Sequence, residues 1–386
     1  MTRLFTLLLP FFLAACAPEG QALANDSFPL GMPGSLPLEG IRKMAKTPAL
    51  HTAFVPEAPL GITTPLATRI PSDNPLTRAK VELGLQLFFD PRLSAGGALA
   101  CASCHHPARG WAGGVGRASG RSAPALPNRL LGTTHGWDGR SATLEEQALA
   151  ALGSPDELGA VPEETVTRLN AIEGYRLQFE AVFGGPANTE RIAKAIAAFE
   201  RTLTNGNSKH DIYARAQPIL GRTPEDGLEP RLMDADRAAL AAEAKNRLSA
   251  AALRGRELFL GKARCSTCHA GENLSDEEFH NLGIGLEAKE PDLGRSLVTK
   301  RAEDQGAFKT PSLRSVALTA PYLHDGSRAS LREVVEHYDR GGTPNPWLAP
   351  ELAPLGLSAE EKQDLVTFLE EGLTGETTPV TVPRLP

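Results

Sequence analysis

Two pentapeptides carry the chemistry of this chain: Cys101-Ala102-Ser103-Cys104-His105 and Cys265-Ser266-Thr267-Cys268-His269. Each is a Cys-x-x-Cys-His, in which two thiols add to the vinyl groups of a c-type haem and the next imidazole takes an axial position on iron. Two Cys-x-x-Cys pairs would also suit one zinc, and a single pair a redox dithiol. Neither needs a histidine directly after the second cysteine in both copies. The chain has only five Cys and nine His, so the repeat points to two covalent haems on Cys101, Cys104, Cys265 and Cys268, with His105 and His269 as iron ligands.

Each haem turn follows a similar phrase, Gly84-Leu85-Gln86-Leu87-Phe88 and Gly255-Arg256-Glu257-Leu258-Phe259. The repeated unit is therefore larger than the pentapeptide. A cytochrome c domain begins this way, with a helix whose Leu/Phe edge packs on a later helix. At 386 residues, with 41% apolar and 22% charged, the chain can bury two ordinary cores. Its 31 Pro and 37 Gly suggest long irregular connections between helices. A net charge of -6 argues against a nucleic-acid partner.

The N-terminus reads as an export signal. Arg3 is the basic region, Leu4 to Leu13 the apolar run, and Leu13-Ala14-Ala15-Cys16 resembles a bacterial lipobox whose cysteine is lipidated. An ordinary cleaved signal is the alternative. The run is too short to span a bilayer, so the expectation is a periplasmic protein of a Gram-negative bacterium, lipid-anchored at Cys16 to the outer membrane. The other four cysteines take the haems, which leaves none for a disulfide.

Residues 17–73 read as a Pro/Ala-rich tether or arm, in which Met32 and Met44 are incidental sulfurs. Residues 74–210 form a first cytochrome c-like domain: Asn74-Pro75-Leu76-Thr77 caps a helix over 78–89, and others follow at Thr143, over 163–183 and from Thr189 to Leu203. Residues 211–248 are a linker, within a polar stretch from Asn205 to Leu248 that makes a hinge. A second such domain fills 249–376, its last helix opening at the capping box Ser358-Ala359-Glu360-Glu361, and 377–386 is a tail. No stretch alternates as a strand does, so the fold class is mainly α.

From about 74 to 375 the chain resembles the bacterial di-haem cytochrome c peroxidases and their relative MauG. The resemblance rests on Asn-Pro-Leu-Thr at 74–77, Trp-Asp-Gly-Arg at 137–140, Phe-Lys-Thr-Pro-Ser-Leu-Arg at 308–314 and Thr-Ala-Pro-Tyr-x-His-Asp-Gly at 319–326. It implies that the first haem reacts with hydrogen peroxide while the second stores or relays electrons. Classical members cap the first iron with a loop histidine until reduction releases it. The corresponding loop here, Gly110 to Arg121, has no His. His106 neighbours the proximal ligand, and His135 is the other nearby candidate, so the first haem is expected to be open without reductive activation.

No methionine follows Met233, so a C-terminal Met ligand is unavailable to the second haem. The resemblance places Tyr338 there, with His337 and His324 as alternatives. A phenolate is a hard anionic donor and lowers the reduction potential. The resemblance also implies Glu157 as the distal acid–base group, Gln147 as a distal-pocket amide and Trp137 as the indole between the haems. It places a calcium on the carbonyls of Thr319 and Pro321, although Ser122 stands where the family has Asn. The expected activity is di-haem peroxidase, with a small cytochrome c or cupredoxin as donor. The alternatives are a MauG-like oxidase, which modifies side chains of a partner protein through a high-valent di-haem state, and a non-catalytic electron carrier.

Overall fold

The computed structural model describes residues 35–113, 120–220 and 234–386. It is mainly α, as expected. The first half contains α1 (Leu38–Ala45), α2 (Arg78–Phe89), α3 (Cys101–Cys104), α4 (Leu144–Gly153), α5 (Pro162–Ala171), α6 (Glu173–Phe183) and α7 (Thr189–Glu200). The second half contains α8 (Lys209–Ala216), α9 (Asp234–Lys245), α10 (Ala250–Leu260), α11 (Ser296–Thr299), α12 (Leu331–Asp339) and α13 (Ala359–Thr367), the last continued by a wider turn over Phe368–Gly372. Strands β1 (Asn205–Gly206), β2 (Phe279–Asn281), β3 (Ala307–Lys309) and β4 (Glu376–Thr377) form two antiparallel ladders, pairing Asn205 with Thr377 and His280 with Phe308. These ladders are too short for side-chain alternation to reveal them.

Two cores repeat one packing scheme. In the first, α2 crosses α7 so closely that a Cβ on Gly84 would strike the carbonyl oxygen of Ala195; in the second, Gly255 on α10 meets Asp364 on α13 in the same way. Glycine is required at both crossings because only a bare Cα admits the opposing backbone. One turn further along, Phe88 packs edge-on against Phe199 at 5.2 Å between ring centroids, and Phe259 against Phe368 at 5.4 Å. The scheme therefore equates α2 with α10 and α7 with α13, residue by residue.

A second repeat lies beyond the haem turns. The hairpin over 135–141 is closed by a bridge between His135 and Ser141, and the one over 322–328 by a bridge between Tyr322 and Arg328. Both lead into a capped helix. Thr143 accepts from the Glu146 amide at 3.1 Å and Glu146 accepts from the Ala142 amide at 2.7 Å. Ser330 and Glu333 do the same at 3.3 Å, with the Ala329 amide at 2.6 Å. These reciprocal bonds satisfy amides that a helix start leaves unpaired, and they set α4 and α12 in one register.

Of the two readings of the N-terminal stretch, tether or arm, its described part takes the second, and the C-terminal tail packs likewise. Within 35–73, α1 packs on α6 with Ile41 fully buried and Arg42 paired to Glu173 at 2.8 Å. Further along, the carboxylate of Glu272, just past the second haem turn, accepts from the Thr63 and Thr64 amides at 2.6 and 2.8 Å. The arm therefore touches both halves. At the other end, Val380 and Val382 pack on the first core, and the Pro386 carbonyl accepts from Arg92 at 3.0 Å. Sparse apolar residues gave no helical period, but docking onto a ready-made surface orders them.

The stretch read as a hinge also differs from expectation in its described part. Asn205 is fully buried and bonded to Asn128, Ser315 and Thr377. Asp211 on α8 forms a buried pair with Arg314 at 2.8 Å. Polar composition here reflects a hydrogen-bonded junction and not solvation. Met44 sits on α1; Met32 and Cys16 lie outside the described residues.

Candidate haem sites and the seam between them

Each histidine expected as a proximal ligand is oriented by backbone. His105 Nδ1 lies 3.2 Å from the carbonyl of Trp111, and His269 Nδ1 lies 3.0 Å from that of Leu274. Both carbonyls are aimed by a residue in the left-handed region, Trp111 at φ 60° and Leu274 at φ 50°, a conformation uncommon for side-chain-bearing residues. A second carbonyl, from Pro124 or Pro311, faces each ring. With Nδ1–H tied to a carbonyl, Nε2 keeps its lone pair for a metal, and burial lowers the pKa of both rings so that they remain neutral. His106 is diverted elsewhere: its Nδ1 accepts from the Ala108 amide at 3.1 Å, capping a short turn.

The second site is a cavity of about 1700 Å³ measured out to its solvent mouth, lined by Cys265, Cys268, His269 and Tyr338. Val334, Leu365 and Leu369 make its wall apolar, and it crosses the seam to reach Ala112, Pro124 and Trp137 of the first half. Two thiols, a neutral imidazole and an apolar wall fit a covalent haem. Burial pushes the Tyr338 phenol above its ordinary pKa, the reverse of what a phenolate requires; only the charge of a coordinated metal would invert that. His337 Nε2 lies 3.0 Å from the Leu282 carbonyl. His324 stacks on Phe308 at 3.5 Å between centroids and also lines the cavity.

Of the residues expected at the first site, Gln147 sits on α4, its Oε1 buried with no partner among the described residues. The loop after α4 supplies Glu157. Burial raises its pKa against the pull of Arg140 and Arg121, and it lies within electrostatic range of Cys101. A buried amide oxygen with no partner among the described residues leaves a hydrogen-bonding position for a polar molecule. His135 is buried, its Nδ1 without a partner among the described residues, and burial followed by the charge of Arg129 lowers its pKa to about 3. Of the loop read as lacking a histidine cap, residues 114–119 lie outside the described set.

Trp137 stands at the seam. Its indole N–H donates to the Ser122 carbonyl at 2.7 Å, and its own carbonyl accepts from Lys309 at 2.8 Å. Around it Arg121 bridges Asp138 at 2.9 Å and Asp292 at 2.6 Å, while Arg129 reaches Glu277 at 3.0 Å. Ser122, Thr319 and Pro321, the positions compared with the family's calcium site, all line the cavity at this seam. Ser122 Oγ donates to the Leu323 carbonyl at 2.7 Å and its amide to the His324 carbonyl at 2.7 Å. Ser122 thus bonds directly across the seam, and Pro321 follows Ala320 through a cis peptide bond.

Among the described residues one further cluster has metal-like spacing: Cys268, Asp276 and His280, with ligand atoms within 4.8 Å of one another. Cys268 belongs to the second Cys-x-x-Cys-His motif, and the remaining pair, bonded at 2.8 Å, is too few for a structural site.

Residues 78–218 match the family model for di-haem cytochrome c peroxidase. The chain is 40% identical over 327 residues to the methylamine utilization protein MauG of Methylorubrum extorquens, covering 82% of this chain and 84% of that one. It is 30% identical over 373 residues to the cytochrome c551 peroxidase of Pseudomonas aeruginosa, covering 92% and 94%. A crystal structure of a MauG-like protein associated with microbial copper homeostasis superposes with TM-score 0.69 at 32% identity, over 84% of this chain and 96% of that one. The chain thus belongs to the di-haem cytochrome c peroxidase and MauG family, whose members carry two c-type haems. It is an oxidoreductase of the type that takes peroxide as acceptor.

Proposed function

We propose that this protein reduces hydrogen peroxide at the haem held by Cys101, Cys104 and His105, and that the haem held by Cys265, Cys268 and His269 is closed by Tyr338 and stores or relays electrons. One observation carries the reading. In the shared register of α4 and α12, counted from Leu144 and Leu331 behind their caps, Gln147 corresponds to Val334 and Ala151 to Tyr338. These are i, i+4 pairs and share a face. Val334 and Tyr338 line the second cavity, so the first site has an amide in place of an isopropyl group and a methyl in place of a phenol. A methyl leaves a coordination position free.

The bound haem supplies the iron at which the peroxide O–O bond breaks. Gln147 orients peroxide by hydrogen bonding, and Glu157, its proton affinity raised by burial, carries a proton from the inner to the outer oxygen. Trp137 is the relay between the halves, its indole N–H fixed to Ser122. The donor is a small cytochrome c or cupredoxin, met in the periplasm by a protein lipid-anchored through Cys16; no helix among the described residues is long and apolar enough to cross a membrane. A second reading, oxidation of side chains on a partner protein, is favoured by Tyr338, since a hard anionic ligand suits a more oxidised second haem, and by the similarity to MauG.

Electron paramagnetic resonance and optical spectra of the ferric protein, before and after one equivalent of peroxide, test the assignment. One high-spin and one low-spin haem, with rapid reaction, are expected. Two low-spin signals unmoved by peroxide would instead define an electron carrier. Turnover with reduced cytochrome c then separates the two enzymatic readings.

A further inference from the structure

The wall of the second cavity identifies a group in the first that peroxide cleavage by Gln147 and Glu157 leaves unused. Gly84 against Ala195 and Gly255 against Asp364, with Phe199 and Phe368 one turn on, align α7 with α13 and its continuation. The next residue in each is Glu200 and Leu369. Leu369 lines the second haem cavity. The first half therefore carries a carboxyl where the second presents an apolar wall.

That carboxyl is singular in its surroundings. Glu200 is only 7% exposed, and no hydrogen bond or ion pair joins its side chain to any other described residue. The nearby cations are committed: Arg201 to both oxygens of Glu145 at 2.6 and 2.7 Å, and Arg129 to Glu277 at 3.0 Å. Glu200 also closes α7, where the helix dipole opposes a negative charge. Burial pushes it up to about 8, against the pull of Arg201 and Arg129 and with Glu145 adding to the rise. It and Glu157 both lie within electrostatic range of Cys101. An unpaired buried carboxyl takes up a proton rather than a charge.

We infer that Glu200 is a second carboxyl of the first haem cavity, a proton store for peroxide reduction. The inference rests on peroxide being reduced at that haem. Cleaving one peroxide to two waters takes up two electrons, from the donor protein, and two protons. Glu157 only shifts a proton from one peroxide oxygen to the other, so protons must also enter from outside. Glu200 releases its proton to a product oxygen as electrons arrive and is reprotonated from solvent.

The holoprotein and its E200Q, E200D and E157Q variants test this. In reduced-minus-oxidised infrared difference spectra, a carboxylic-acid C=O band is expected in wild type and E157Q, absent in E200Q and shifted in E200D. The wild-type rate of peroxide consumption should fall as pH rises through about 8, and E200Q should lose that break. A band or break that survives in E200Q overturns the inference, with wild-type reactivity intact. A wild type inert to peroxide overturns both this and the function beneath it. If E200Q fails to bind both haems, the wild-type band decides: no protonated carboxyl titrating near that pH would refute the store.

Discussion

Gln147, Ala151 and Glu200 in the first half stand where Val334, Tyr338 and Leu369 stand in the second. Around these three pairs the halves agree: a glycine crossing, a phenylalanine pair, a proximal histidine tied to the carbonyl of a left-handed residue, and a capped helix behind a hairpin. The scaffold therefore sets the iron side of each site in the same way. In the proposed assignment, what would distinguish a reactive haem from a closed one is a few wall positions, where polarity and bulk are exchanged within the same helices.

The largest expected effect comes from making the first wall resemble the second. A151Y should abolish the peroxide reaction and convert the high-spin signal to low-spin; persistent high-spin iron would show that α4 and α12 do not present these positions alike. Its mirror, Y338F, should open the second haem, seen as a second high-spin signal and a raised midpoint potential. E157Q keeps the vacancy but removes the proton carrier, and stopped-flow mixing should show a loss of about 100-fold or more. A rate within a few-fold of wild type would remove Glu157 from the mechanism.

Two smaller tests concern what holds the halves in register. R314M strands the buried Asp211 carboxylate and should lower unfolding stability by about 3–5 kcal/mol, measured by denaturant titration. Glu272 supplies the mildest effect. Against the cost of partial burial, the donors of Thr64 and Thr63 hold its carboxyl at about 2. A depressed carboxylate stabilises the fold above its unfolded value of about 4.3, and the gain is lost as pH falls from there through about 2. The arm should therefore become protease-sensitive over that acid range, and E272Q should be sensitive at neutral pH already. An acid profile identical in E272Q and wild type would detach the arm from this carboxylate.

The sequence alone was enough to read the family and the helical class, and to nominate the two Cys-x-x-Cys-His turns, because each is written in adjacent residues or in a short period. The repeated hairpin and cap are also present in the sequence, at 135–147 and 322–334, and aligning these two segments is sufficient to pair Ala151 with Tyr338. The three-dimensional fold decided the rest. Trp111 and Leu274 act through carbonyls, which residue type does not announce. Glu200 reads as an ordinary helix-end glutamate until the crossing of α2 and α7 buries it. The arm, the tail and the polar junction near Asn205 looked solvated because their partners lie far away in the chain. Local spacing encodes what neighbouring atoms do together; burial and pairing at a distance exist only once separate segments have packed.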